Sequence, residues 1–200
     1  CTLFKVKSAQ RWFEMMELLT INADFIPIVR FAAVTGASNA CLGPSIAISR
    51  STLQELGGLE SLADYLVEDY ELGRRVWTSG KKMVLLPYTI DVPVDLKNWQ
   101  EWWTHQVYWD QNTYLARPWP FIATILIRAV PFAILFAILR MGDLLGLGVL
   151  GITVALRLLS AGITLKELKD VEGFQSLYLL PLRDTFGLIF WFLAWTKRTV

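Results

Sequence analysis

Beyond residue 117 the chain carries three apolar runs, each near the roughly 20 residues that a helix needs to cross a hydrocarbon core. They cover 118–139, bracketed by Arg117 and Arg140, then 142–163, then 177–195, bounded by Lys197 and Arg198. Such runs restrict the second half to membrane-length helices or to helices buried on all sides. With 54% hydrophobic residues and a mean hydropathy of +0.41 over 200 residues, the first reading is favoured. None of the runs is free of charge. Arg128 lies near the middle of the first, Arg157 late in the second, and Arg183–Asp184 early in the third. A charge at mid-bilayer costs at least about 2.5–3.5 kcal/mol unless it is paired or wet. Arg128 is therefore expected to face the bundle interior or the soluble part, and Arg183–Asp184 to pair locally or with another segment. Pro131 is expected to kink the first run without ending it. About three transmembrane or re-entrant helices follow from this pattern. Loop charges leave the orientation of the last one open, because Lys166/Lys169 and Lys197/Arg198 would fall on opposite sides under strict alternation.

Just before these runs, Trp99, Trp102, Trp103, Tyr108, Trp109 and Tyr114 alternate with Lys97, Glu101, His105, Asp110 and Arg117. Aromatics interleaved with polar residues suit the membrane–water boundary, so 95–117 is read as an interfacial amphipathic helix with Trp99, Trp102 and Trp103 at head-group depth. The alternative is an aromatic-rich core helix. Upstream, residues 1 to about 34 mix apolar and polar positions at helical spacing, with Trp12, Met15, Met16 and Leu19 on one face of an amphipathic helix. The stretch 22–27, with Asn22, Asp24 and Pro27, is expected to break that helix. Residues 45–49 and 82–86 read as buried strands and 89–92 as a further candidate. A short helix is expected from Ser51, capped by a hydroxyl and stopped at Gly57–Gly58, and a second over 69–79 ending at Gly80. Helices alternating with short strands indicate an α/β region over 1–94 joined to an α-helical membrane region over 118–200.

The charge balance, 19 basic against 18 acidic residues, excludes a nucleic-acid binder, which needs a basic excess to neutralise phosphates. Two cysteines, Cys1 and Cys41, form neither a disulfide framework nor a metal-ligand spacing. The chain starts without Met and without a signal-peptide pattern, and reads as an internal fragment of a longer protein. The one dense acidic patch is Asp64, Glu68, Asp69 and Glu71, opening a helix. A carboxylate there is kept ionised by free amides and the helix dipole, which suits a general base and equally suits a simple cap.

The order Gly43-Pro44-Ser45-Ile46-Ala47-Ile48-Ser49-Arg50, Gly57-Gly58-Leu59, Asp64-Tyr65-Leu66-Val67-Glu68-Asp69, then Gly80-Lys81-Lys82 and Leu182-Arg183-Asp184 resembles the ceramide glucosyltransferase-type membrane glycosyltransferases of families 2 and 21. That resemblance implies the acceptor half of a GT-A-type domain, with Asp69 as the catalytic base on the acceptor hydroxyl and Glu68 shaping its field. It implies an inverting transfer of a sugar, glucose above all, from a UDP-sugar to a lipid hydroxyl such as that of ceramide. It also implies a multi-pass membrane protein with a cytosolic catalytic domain. The family's Gln-x-x-Arg-Trp motif, which contacts the leaving diphosphate and acceptor, aligns with His105-Gln106-Val107-Tyr108-Trp109. Only Trp109 matches outright. His105, Tyr108 and Trp109 share one helical face, but a fixed positive charge is lost, with Lys81 or Arg117 as compensating candidates. No Asp-x-Asp appears in this chain, so a divalent cation (Mg or Mn) is expected to be held by residues further upstream, and the isolated fragment is expected to be inactive. Two other readings stay open: a processive polysaccharide synthase of the cellulose or hyaluronan type, and a non-catalytic membrane anchor.

Overall fold

The computed structural model describes residues 1–36 and 41–196. Asn39, considered as a border of the acceptor groove, and the Lys197–Arg198 flank of the last apolar run lie outside the described residues. The chain divides into two compact units, one formed by Cys1–Lys5 and Phe25–Val92, the other by Val6–Asp24 and Pro93–Val200.

The first element is a strand, β1 (Thr2–Lys7), with Leu3, Phe4 and Val6 buried. Helical spacing was the expectation for this stretch. Thr2, Phe4 and Val6, β-branched or aromatic, alternate along this six-residue run, which instead pairs in parallel with β2 (Leu86–Pro93) as a two-stranded sheet. The strand expected at 89–92 is thus part of β2, whereas 82–85 precedes it as irregular chain. Residues 45–49 form no strand either. They alternate as one would, Ile46 and Ile48 packing on Leu62, Leu72 and Val76. No ladder forms there, and only Thr2 N donates to Ser45 O, at 3.2 Å. The α/β expectation therefore reduces, among the described residues, to one strand pair in a mostly helical chain.

Within the first unit, α3 (Arg50–Glu55) is capped by Ser49, whose hydroxyl accepts from Thr52 N at 3.2 Å, two residues ahead of the expected Ser51. Then α4 (Glu68–Thr78) runs to Gly80, whose φ of 75° is one that L side chains avoid.

The second unit is a helical bundle. Its first helix is α1 (Trp12–Leu19); the helical backbone continues through a π-turn (Thr20–Phe25) into α2 (Ile26–Thr35), which is counted with the first unit. The break expected at 22–27 does not occur. Pro27 occupies the first turn of α2, where no helical N–H is needed. Asn22 does not cap locally; its amide accepts from Val6 N and donates to Val6 O, both at 2.9 Å, and donates to Asp170 at 2.7 Å.

α5 (Trp99–Ala116) starts at Asn98, whose side chain accepts from Glu101 N at 2.9 Å. Trp102 is 1% exposed, edge-on to Trp12, Phe186 and Phe190. The head-group position expected for Trp102 is thus corrected: it anchors the core together with Phe13, Met16 and Val107. Trp99 remains half exposed.

The first apolar run is not one helix. α6 (Pro118–Ala123) and a 3-10 turn (Thr124–Ile127) meet α7 (Ala129–Leu139) at Arg128, with a bend of 50°. Pro131 does not cause it, since it lies in the first turn of α7. α8 (Leu144–Glu167) is capped by Asp143, α9 (Val171–Gln175) by Asp170, and α10 (Leu180–Thr196) closes the bundle. Among the described residues three helical stretches are long and apolar enough to cross a membrane: Trp12–Thr35, Leu144–Glu167 and Leu177–Thr196. The bent pair makes a fourth if counted as one span. The second and third were expected; the first had been read as an amphipathic helix of the soluble part.

Candidate active site

In the first unit the acidic cluster at the start of α4 separates into different roles. Glu71 is buried and chelated: Arg74 Nε and Nη2 donate to it at 2.7 Å each, and Arg75 Nε at 2.8 Å. These guanidiniums hold its carboxyl down to about 2. Arg75 also donates to Leu56 O and to Ser61, and its guanidinium lies over the Tyr65 ring at 5.3 Å. Glu71 is thus the keystone that ties α4 to the turn before it.

Asp69, at the second helical position of α4, is partly exposed, and Glu68 beside it is exposed. One Asp69 oxygen accepts from Tyr70 N at 2.7 Å, the other from Gly43 N at 2.8 Å. A Cβ on residue 43 would lie 3.3 Å from that second oxygen, so the close approach favours glycine there. Two backbone amides thus fix the orientation of the carboxylate at the start of α4. Two segments of the sequence pattern, at Gly43 and at Asp69, meet in this contact. Lys81, a candidate for the missing fixed charge, forms an ion pair with Glu55.

The other three candidates lie in the second unit on α5. The His105 and Trp109 rings meet tilted at 56°, with centroids 5.3 Å apart, and Tyr108 is 42% exposed. His105 Nδ1 lies 3.1 Å from Glu17 Oε1 of α1. The ring N–H is not aimed straight at that oxygen, so the contact is chiefly electrostatic. Glu17, together with its neighbour Glu101, pushes the imidazole pKa up. The other Glu17 oxygen accepts from Gln106 Nε2 at 2.6 Å.

From there polar contacts continue inward. Thr20 Oγ1 lies 3.4 Å from Gln106 Oε1 and accepts from Arg183 Nε at 3.1 Å. Arg183 pairs with Asp184 at 3.0 Å and with Asp24, and Arg157 pairs with Asp24 and, through two nitrogens at 2.8 and 3.2 Å, with Asp184. Two arginines thus face two aspartates. As expected, Arg183–Asp184 pairs both locally and across helices, and Arg128 turns inward, 3.7 Å from Asp110 and against Gly187. Sequence reasoning missed Glu17 and Gln106, and gave Asp24 a place in a helix break or beside the acceptor groove rather than among the arginines. The charges inside apolar runs signalled that Asp24's partners needed an acid, but nothing local marked Glu17.

Among the described residues no group of three or more His, Cys, Asp or Glu side chains is arranged to hold a metal ion. The residues present therefore do not fit a divalent cation.

No curated protein and no solved structure matches the chain. A family model, glycosyl transferase family 21, matches residues 1–200. With that match across the full sequence, the chain belongs to glycosyl transferase family 21, the ceramide glucosyltransferase family.

Proposed function

We propose that this chain is the acceptor-side part of an inverting, GT-A-type glycosyltransferase that moves glucose from UDP-glucose to the hydroxyl of a membrane lipid such as ceramide. Asp69 is the base. As the acceptor oxygen bonds to the anomeric carbon from one face, its proton passes to the Asp69 carboxylate, and the bond from that carbon to the diphosphate oxygen breaks on the other face. Glu68 adds negative field beside the base, and His105, Tyr108 and Trp109 serve the acceptor and the departing diphosphate. A divalent cation, Mg or Mn, would neutralise the diphosphate. The helices of membrane length hold the protein in the bilayer as a multi-pass protein, with the catalytic part on the cytosolic side.

The observation that carries this reading is the Asp69 carboxylate, held and oriented by the Gly43 and Tyr70 amides. A cap would need no partner 26 residues away. The test uses membranes bearing the full-length protein, incubated with labelled UDP-sugars and extracted for lipids. Asp69→Asn is expected to lower glycolipid formation about 10²–10⁴-fold at unchanged abundance. Glycolipid output equal to the parent would remove Asp69 from the mechanism. A labelled polymer in place of a glycolipid would favour a processive synthase.

A further inference from the structure

Resting on the reading above, we infer that Glu17 is a positioning residue that holds His105 as an outward-facing imidazolium, and that this imidazolium supplies the diphosphate-binding charge that Tyr108 cannot. Four observations converge. Glu17 is 5% exposed, on a helix that also buries Phe13, Met16, Leu18 and Leu19. A carboxylate so placed demands charge compensation. Its two oxygens are divided between an imidazole nitrogen at 3.1 Å and an amide donor at 2.6 Å, so His105 is its cationic partner. The amide is itself engaged: Gln106 also meets Thr20, which Arg183 holds in turn. Glu17 is thereby fixed in one rotamer.

With Nδ1 buried 3.1 Å from Glu17, the ring can offer only Nε2 to a ligand. The His105 side chain is 36% exposed, enough to reach one, with the Trp109 ring tilted against it at a centroid distance of 5.3 Å. Other charges do not contest the assignment. Glu101 on the same helix reinforces Glu17, Glu14 on α1 is occupied by Arg11, and α6 carries no ionisable residue. On α10, Arg183 reaches this chain of contacts only through Thr20. The arrangement supplies a cation whose charge depends on a buried partner, in place of a permanent guanidinium.

The sign is fixed by the direction of the shift. A raised imidazole pKa keeps the ring charged to higher pH, and the charge is lost as pH rises through it. In full-length protein, UDP binding, read as product inhibition or by calorimetry, is expected to weaken on the alkaline side as His105 deprotonates. Glu17→Gln should move that fall to lower pH and weaken UDP about fivefold at neutral pH, the worth of one partly screened contact. His105→Arg should abolish the alkaline fall, and Glu17→Gln added to it should move nothing. A merely structural Glu17 would lower abundance or thermal stability and leave the midpoint of the UDP curve where it was; that result overturns the inference. Histidine-labelled NMR, assigned with His105→Gln, reads the imidazole directly. An imidazole that titrates alike with and without Glu17 would likewise overturn it. Parent protein that binds no UDP at any pH would instead overturn glycosyl transfer itself.

Discussion

The pairing of Asp24, Asp184, Arg157 and Arg183 makes a quantitative prediction. Their side chains are 10–28% exposed, each arginine touches both aspartates, and the four charges sum to zero. Asp184→Asn leaves two guanidiniums sharing one carboxylate, with about the same volume filled. Removing one member of a buried pair costs about 3–5 kcal/mol. Asp24 still bridges both arginines, so the lower end applies, about 3 kcal/mol. For a chain of this size that corresponds to a loss of roughly 6–12 °C in Tm. The double variant Arg157→Gln/Asp184→Asn removes one charge of each sign and leaves Arg183 with Asp24. It should be more stable than the sum of the single changes by at least about 1 kcal/mol. The assay is thermal denaturation of full-length protein in lipid nanodiscs, followed by the fraction that stays monodisperse. Single variants within about 2 °C of the parent, or a double variant as poor as the sum of its parts, would refute the claim that these charges are mutually neutralised.

Three further predictions address other sites. Glu71→Gln should destabilise the first unit by about 2–3 kcal/mol at neutral pH. Because the Glu71 carboxyl is held down to about 2 from 4.5, that stability is fully present above pH 4.5 and is lost as pH falls toward 2; urea unfolding across this window should show parent and variant converging. Gly43→Ala sets a methyl 3.3 Å from the Asp69 oxygen. It should cost roughly tenfold in transfer rate with little change in thermal stability, measured on the same preparation. Asn22→Ala removes three hydrogen bonds at a site 0% exposed and leaves the Val6 main chain unpaired; a loss of about 2–4 kcal/mol is expected by chemical denaturation.

Helices whose boundaries depend on adjacent residues were legible: α4 begins at its acidic cluster and ends at Gly80, and α8 and α10 follow the apolar runs closely. Elements decided by distant partners were not. Thr2–Lys7 reads as helix or strand alike until Leu86–Pro93 is beside it. Residues 45–49 have the alternation of a strand but no ladder to join. Asn22, Asp24 and Pro27 carry every local sign of a helix break, yet their polar groups find partners at Val6, Asp170, Arg157 and Arg183, and the chain passes through as a π-turn. Asp69 was legible as a candidate because its neighbours in sequence are acidic. Its contact with Gly43 was not, because a backbone amide leaves no trace in side-chain pattern.

The same contrast bears on how positive charge is deployed. The family motif places a guanidinium beside tryptophan, and here that position is Tyr108, 42% exposed and without fixed charge. Arg128, Arg157 and Arg183 of the helical unit do not replace it. Arg157 and Arg183 are neutralised by two aspartates, and Arg128 faces Asp110. Those charges are spent on letting polar groups exist inside apolar helices. What remains near the motif is an imidazole whose partner, Glu17, is buried where a bare carboxylate would be costly. Each ion of the Glu17–His105 pair therefore explains the other: the carboxylate is tolerated because the ring is charged, and the ring stays charged because the carboxylate cannot move away.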